Sequence, residues 1–79
     1  MKVILRNKNT NETITVTLED FKVRFNRELQ SGIEAYCKDN KSLLPSFCKK
    51  GPTEEDFYQS LRFNFNNYCK NEWYIEKFK

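Results

Sequence analysis

Apolar and polar residues alternate strictly over residues 13–18, with aliphatic side chains on one face and threonines on the other. A period of two predicts a strand with one buried face. A second short run, residues 2–6, is rich in aliphatic and β-branched side chains. Three asparagines occur between the two runs, in segment 7–12, and asparagine suits a turn because it tolerates the left-handed region. The pattern predicts a β-hairpin over residues 2–18.

Apolar residues then recur at spacings of three and four, which predicts an amphipathic helix over residues 19–39. Thr17, three residues before Asp20, resembles a capping box. Gly32 lies beside the apolar stripe, where the missing side chain permits close packing of a second helix or of the sheet. The stripe consists of Phe21, Phe25, Leu29, Ile33, Tyr36 and Cys37.

A connector over residues 40–52 contains the apolar run 43–48, which we expect to form one short helical turn. The run has two interpretations: it folds back to plug the core, or it forms a docking patch or homodimer seam. Thr53 and Asp56 repeat the helix-start signal. A second helix is predicted over residues 53–71, with an apolar sector of Phe57, Tyr58, Leu61, Phe65, Tyr68 and Cys69.

The tail, residues 72–78, fits either the end of that helix or a strand. Its Trp, Tyr, Ile and Phe favour a strand. A hairpin alone is marginal in water, and a third strand would complete its sheet. We therefore predict a small α+β fold of order ββααβ, a single domain over residues 1–79.

The composition explains how so short a chain builds a core. It has 79 residues, with seven Phe, four Tyr and one Trp. Small domains bury a modest share of their surface, so bulky aromatic side chains compensate; the alternative use is a stacking platform for nucleic-acid bases. Cys37, Cys48 and Cys69 are odd in number and lack a Cys-x-x-Cys pair, which predicts free thiols.

Nothing in the sequence favours an enzyme. Histidine is absent, and Gly32 and Gly51, the two glycines, form no phosphate-binding loop. The acidic pairs occur at helix starts, where the helix dipole explains them. We expect no catalytic residues, no metal site and no cofactor. Without an 18-residue apolar run or a signal-peptide core, we also expect no membrane span and a cytoplasmic location.

Basic residues are only moderately concentrated. Residues 1–50 hold ten Lys and Arg against six Asp and Glu, and residues 51–79 hold four against five. A phosphate-binding stripe is usually denser, and the long connector argues against a helix-turn-helix. Nucleic-acid binding is therefore the weaker alternative. Its candidate phosphate contacts are Arg24, Arg27, Lys38, Lys49 and Lys50.

Protein binding has a more specific candidate in Phe63, which lies opposite the apolar sector of the second helix. It is an ordinary surface residue, it packs under the tail, or it is the aromatic anchor of an interface. Its expected neighbours on that side are Gln59, Asn66, Asn67 and Lys70. The candidate partner contacts are Phe63, Asn67 and Lys70, followed by Arg24 and Arg27.

The usage of amino acids adds a clue to origin: Asn occurs nine times and Lys ten times, while Ala occurs once. The Asn and Lys codons are A/T-rich and the Ala codons are G/C-rich, which indicates a low-GC genome. The opening hairpin and helix, from Met1-Lys2-Val3-Ile4-Leu5-Arg6-Asn7-Lys8 through Thr13-Ile14-Thr15-Val16-Thr17-Leu18-Glu19-Asp20-Phe21, resemble small prophage proteins of low-GC Gram-positive bacteria.

Some proteins of that kind inhibit bacterial immunity, the anti-CRISPR proteins among them. The resemblance implies a phage or mobile-element accessory protein that binds a host or defence-system protein stoichiometrically. The net charge of +3 does not match the acidic DNA mimics, so an inhibitor would act by steric occlusion or by trapping one conformation. The alternatives are a nucleic-acid-binding accessory protein and a small structural phage component that oligomerises through its connector.

Overall fold

Three strands form one antiparallel sheet in the computed structural model, which describes all residues from Met1 to Lys79. They are β1 (Lys2–Asn7), β2 (Thr13–Thr17) and β3 (Trp73–Phe78), and β1 lies between the other two. The predicted hairpin and the third strand are thus confirmed, and the fold is α+β. The C-terminal strand pairs with the first one because its apolar residues complete the sheet's buried face.

The chain has three helices: α1 (Leu18–Arg24), α2 (Asn26–Asp39) and α3 (Glu54–Tyr68). Helices α1 and α3 pack on the sheet, whereas α2 packs on α3. Both predicted start signals are used. The side-chain oxygens of Thr17 and Thr53 accept the backbone N–H groups three residues later, each at 3.1 Å. None of the helices combines the length and the apolar character that a membrane span requires.

The prediction of one helix over residues 19–39 is wrong in one respect, because the helix is interrupted at Phe25. Phe25 has a φ of −110° and a ψ of 24°, which separates α1 from α2. Its ring lies 5.3 Å from the Phe21 ring and 5.2 Å from the Phe65 ring, centroid to centroid. Packing of these three rings explains the interruption, since no Gly or Pro stands there.

Helix α3, the second of the two predicted helices, ends at Tyr68 rather than near residue 71 as predicted. Cys69 adopts an extended conformation, with a φ of −91° and a ψ of 119°. Its sulfur lies so close to Gly32 that a Cβ built on the glycine would be 2.5 Å away. Burying this cysteine against α2 therefore redirects the chain out of the helix and toward β3.

The core lies between the sheet and the helices. At Gly32 the backbone of α2 closely approaches α3 and Cys69, the residue that follows α3. Of the two expected neighbours, the second predicted helix rather than the sheet therefore packs here. Asn64, fully buried on α3, donates its Nδ2 hydrogen to the Gly32 carbonyl at 3.1 Å. The buried apolar cluster consists of Val3, Leu5, Phe21, Leu29, Leu61, Phe65, Cys69 and Ile75.

The apolar run of the connector is buried or partly buried in its second half and exposed in its first half. Residues Ser46–Cys48 form the expected short turn, a 3-10 helix. Pro45 is fully buried, and Phe47 packs edge-on against Phe57 at 6.2 Å. Leu43 and Leu44 remain 63% and 48% exposed. The second half of the run plugs the core, while the first half lies outside it.

Asn66 closes the outer edge of β3. Its side-chain oxygen accepts the N–H of Ile75 at 2.7 Å, and its Nδ2 donates to the carbonyl of Ile75 at 3.0 Å. The amide thus makes the two hydrogen bonds that a neighbouring strand would make. A bulge at Glu76, between the pairs Ile4–Lys77 and Leu5–Ile75, further disturbs this edge.

We predict that Asn66→Ala destabilises the fold by about 1–3 kcal/mol, because it leaves two backbone groups of Ile75 without partners. Asn67→Ala is the matched control, since the Asn67 amide makes a single exposed hydrogen bond, to the Phe63 carbonyl. Urea unfolding measures the difference. Amide hydrogen exchange at Ile75 should also accelerate in the first variant alone; equal stability of the two variants would refute this role of Asn66.

Candidate functional site

A row of three aromatic side chains crosses the outer surface where α2 meets α3. The rings of Tyr36 and Tyr68 lie 5.4 Å apart, and those of Tyr68 and Phe63 lie 6.0 Å apart, between centroids. Phe63 is 53% exposed, and the two tyrosines are half-buried. Phe63 does not pack under the tail, because its ring projects from α3 into solvent; an ordinary surface residue and an interface anchor both agree with this exposure.

Tyr68 is held at the centre of this row by its hydroxyl group, which donates to the Asp39 carboxylate at 3.0 Å. This hydrogen bond is the main reason that the pKa of Tyr68 is raised. The phenol therefore keeps its proton at neutral pH, and the hydrogen bond ties the end of α3 to the end of α2. The ring is thereby positioned as a fixed apolar surface beside Phe63.

Arg27 and Lys70 lie beside Tyr68, the middle ring of the row. Both line a shallow depression with Tyr68, together with Glu28, Ser31 and Ala35. Arg27 comes from the first turn of α2, whereas Lys70 comes from the loop after α3 rather than from the helix itself. The early end of α3 thus brings a basic residue to the opposite helix, so Arg27 and Lys70 line one depression with Tyr68.

Arg24 continues the surface beyond Arg27. The two arginines line a second depression, whose other residues are Val23, Asn26 and Glu28. The Arg24 Nε lies 3.7 Å from an Asp20 carboxylate oxygen, and both side chains are more than half exposed. An exposed ion pair of this kind contributes little to stability, so Arg24 is available to a partner.

Asn67 lies at one end of the row, next to Phe63. Its Nδ2 donates to the Phe63 carbonyl at 2.9 Å, and the two residues share a third depression with Gln59, Arg62 and Asn66. Asn66 is an exception to the sequence prediction. It was expected on the free side of the helix, but its amide group is committed to β3.

All five candidate contacts therefore lie on one continuous surface. We call this surface the aromatic–basic face. Neither tyrosine on it was a predicted contact, because the spacing assigned both to core stripes. Each stands at the C-terminal end of its stripe, where a helix leaves the core, and that position is the signal that would have found them. The face consists of Arg24, Arg27, Tyr36, Phe63, Asn67, Tyr68 and Lys70.

The five predicted phosphate contacts do not lie together on one surface region. Lys38, Lys49 and Lys50 are exposed, but they line neither of the two depressions that contain Arg27. Acidic groups also interrupt the basic surface, since Glu28 lines both depressions and Asp20 faces Arg24. The charge pattern is mixed, as in a protein interface with a polar rim.

The cysteines are free, as predicted. Burial raises the pKa of Cys69 to about 11, so its thiol is protonated at neutral pH and acts as a core side chain. Burial also raises the pKa of Cys48, and the neighbouring Cys37 thiol adds to that shift. These shifts run opposite to the lowered pKa of a reactive cysteine. No three His, Cys, Asp or Glu side chains converge as metal ligands.

Comparisons of this chain with protein-family models, with curated proteins and with solved structures give no match.

Proposed function

We propose that this protein acts by stoichiometric binding of another protein through the aromatic–basic face. The observation that carries the proposal is the position of Phe63, a large apolar side chain 53% exposed and in contact with Tyr68. Aromatic and arginine side chains dominate the binding energy of protein interfaces. Arg27 and Lys70, which share a depression with Tyr68, supply the charged rim that such an anchor needs.

The chemistry of the face specifies its partner. An apolar pocket would receive the Phe63 ring, and carboxylates would lie opposite Arg27 and Lys70. A positively charged chain with this face is suited to occlude or trap an acidic protein surface. The resemblance to small prophage proteins and the Asn- and Lys-rich composition support a phage or mobile-element accessory protein, whose target in the host cytoplasm is a defence-system protein or another host enzyme.

Phe63→Ala is expected to weaken partner binding by about 2 kcal/mol or more, roughly 30-fold in Kd, while leaving the fold intact. Leu43→Ala is the matched control: Leu43 is 63% exposed, but it belongs to the connector. Tagged wild-type and variant proteins are used to capture partners from lysates of low-GC Gram-positive hosts, and titration calorimetry with the captured partner measures Kd.

A partner that both wild type and Leu43→Ala retain, and that Phe63→Ala loses, would support the proposal. Equal capture by all three proteins would contradict it, and loss through Leu43→Ala alone would transfer the site to the connector. A low-salt gel shift with random duplex and single-stranded nucleic acid tests the alternative function. That alternative is favoured by the Tyr68 ring, which can stack with a base and shares a depression with Arg27 and Lys70, and it requires a shift at micromolar protein.

A further inference from the structure

The outer edge of β2 has an unpaired backbone. In the adjacent β1–β2 ladder, the N–H of Leu18 donates to the carbonyl of Met1 at 3.1 Å. Hydrogen-bonded and non-hydrogen-bonded pairs alternate along antiparallel strands. The even-numbered residues of β2 therefore bond to β1. The N–H and C=O groups of Thr13 and Thr15, and the N–H of Thr17, point away from β1 toward the open edge.

The two edges of the sheet are treated differently. At the β3 edge, Asn66 occupies both backbone groups of Ile75, and a bulge at Glu76 breaks the regular spacing. The β1–β2 register has no bulge, and β2 contains no charged residue and no proline. Proteins commonly use bulges, charged side chains and prolines to keep an edge strand from pairing with another chain. β2 has none of them, so its edge is open to a further strand.

The sequence of β2 identifies the added strand. Thr-Ile-Thr-Val-Thr reads almost the same in both directions about Thr15. A two-fold axis at Thr15 would place threonines opposite threonines and Ile14 opposite Val16 of a second copy. Such a self-complementary arrangement is the geometry of an isologous dimer. The two Thr15 residues would exchange a pair of N–H···O bonds, because their backbone groups point toward the edge.

The side chains of β2 and its lack of charge favour a second copy of the chain as the added strand. Ile14 and Val16 are half-buried on the face that the helices cover. In the paired strands they would form non-hydrogen-bonded cross-strand pairs, in which side chains approach most closely. The net charge of +3 disfavours association of two copies in general. An uncharged strand is the place where that repulsion acts least.

We propose that two copies of this chain associate through β2 to form a continuous six-stranded sheet of order β3-β1-β2-β2-β1-β3. The seam is separate from the aromatic–basic face, which lies on the helices. The dimer would therefore present two such faces. The dimer proposal does not depend on partner binding through the aromatic–basic face, and the partner-binding proposal does not depend on the dimer.

The test is sedimentation equilibrium from about 10 µM to about 1 mM protein, a range that covers weak dimers. Thr15→Pro removes an N–H that points to the open edge and is not used by β1, and an edge strand tolerates proline at such a position. We expect the dimer Kd to rise at least about 10-fold. Thr15→Lys, which places two cations at the two-fold axis, should act alike, with Asn9→Lys in the exposed turn as its charge-matched control.

Circular dichroism confirms that each variant is folded. A wild-type dimer that either folded Thr15 variant abolishes and Asn9→Lys retains would support the proposal. A nuclear Overhauser effect between the Hα atoms of Ile14 and Val16 on differently labelled copies would identify the register. A wild-type protein that is monomeric at the highest concentration would overturn the proposal. So would a dimer that persists in both Thr15 variants, because association would then use another surface such as the exposed Leu43 and Leu44.

Discussion

Phe65→Ala is expected to reduce the free energy of unfolding by about 3–5 kcal/mol, the usual loss for a buried phenylalanine. Phe65 is fully buried, and its ring makes edge contacts with the Phe21 ring at 5.0 Å and the Phe25 ring at 5.2 Å. Small domains have a total stability of only about 5–15 kcal/mol. The variant should therefore lose a large part of its folding stability.

The matched control lies two residues away on the same helix. Phe63→Ala removes an identical side chain that is 53% exposed, and the expected loss is below about 1 kcal/mol. Urea unfolding, followed by circular dichroism and by Trp73 fluorescence, measures both variants. Similar losses in the two would mean that Phe63 is a core residue, which would remove it from the aromatic–basic face.

Gly32→Ala is expected to destabilise the protein by about 1–3 kcal/mol, in the range of overpacked cores. In an open helix, the same change would stabilise by up to about 1 kcal/mol. The sign reverses here because the new Cβ would lie 2.5 Å from the Cys69 sulfur and 2.9 Å from the Asn64 Oδ1. Asn64 cannot move aside without losing its hydrogen bond to the Gly32 carbonyl.

Two further variants separate crowding from helix propensity. Ser31→Ala, at the exposed neighbouring position, adds no contact with α3 and should be neutral or slightly stabilising. Combining Gly32→Ala with Cys69→Ala removes the closest contact and should recover part of the loss. Chemical unfolding of the single and double variants gives the coupling. A Gly32→Ala protein more stable than wild type would show that α2 and α3 do not approach this closely.

The same close contact has a consequence for the aromatic–basic face. Gly32 sets the distance between α2 and α3, and those helices carry Arg27 and Phe63 respectively. Separating the helices would widen the depression that Arg27, Tyr68 and Lys70 line. We therefore expect Gly32→Ala to weaken partner binding more than its stability loss alone explains.

Local signals in the sequence predicted the elements well. The alternation over residues 13–18, the threonines at positions 17 and 53, and the spacing of the apolar stripes each report interactions within a few residues. Such interactions form in nearly the same way wherever the segment lies in the fold. For that reason the hairpin, the helix starts and the position of the exposed Phe63 could be predicted from the sequence.

Element ends and the composition of the face were harder to predict because distant residues decide them. The interruption at Phe25 arises from packing against Phe65, forty residues later. The end of α3 arises from burial of Cys69 against Gly32. That ending takes Lys70 out of the helix and places it beside Arg27. The spacing of apolar residues cannot reveal contacts between residues so far apart in sequence, since each residue alone fits the helix in which it was predicted.

By itself, the sequence determined the hairpin and the two helical regions, which side chains are apolar enough to form the core, and that the surface is mildly basic. The tertiary structure alone decided that Asn66 closes one sheet edge while β2 stays open, and that two tyrosines join Phe63 on one face. The physical reason is that backbone conformation is governed mainly by near neighbours along the chain. Edges, grooves and close contacts exist only after segments far apart in sequence have packed together.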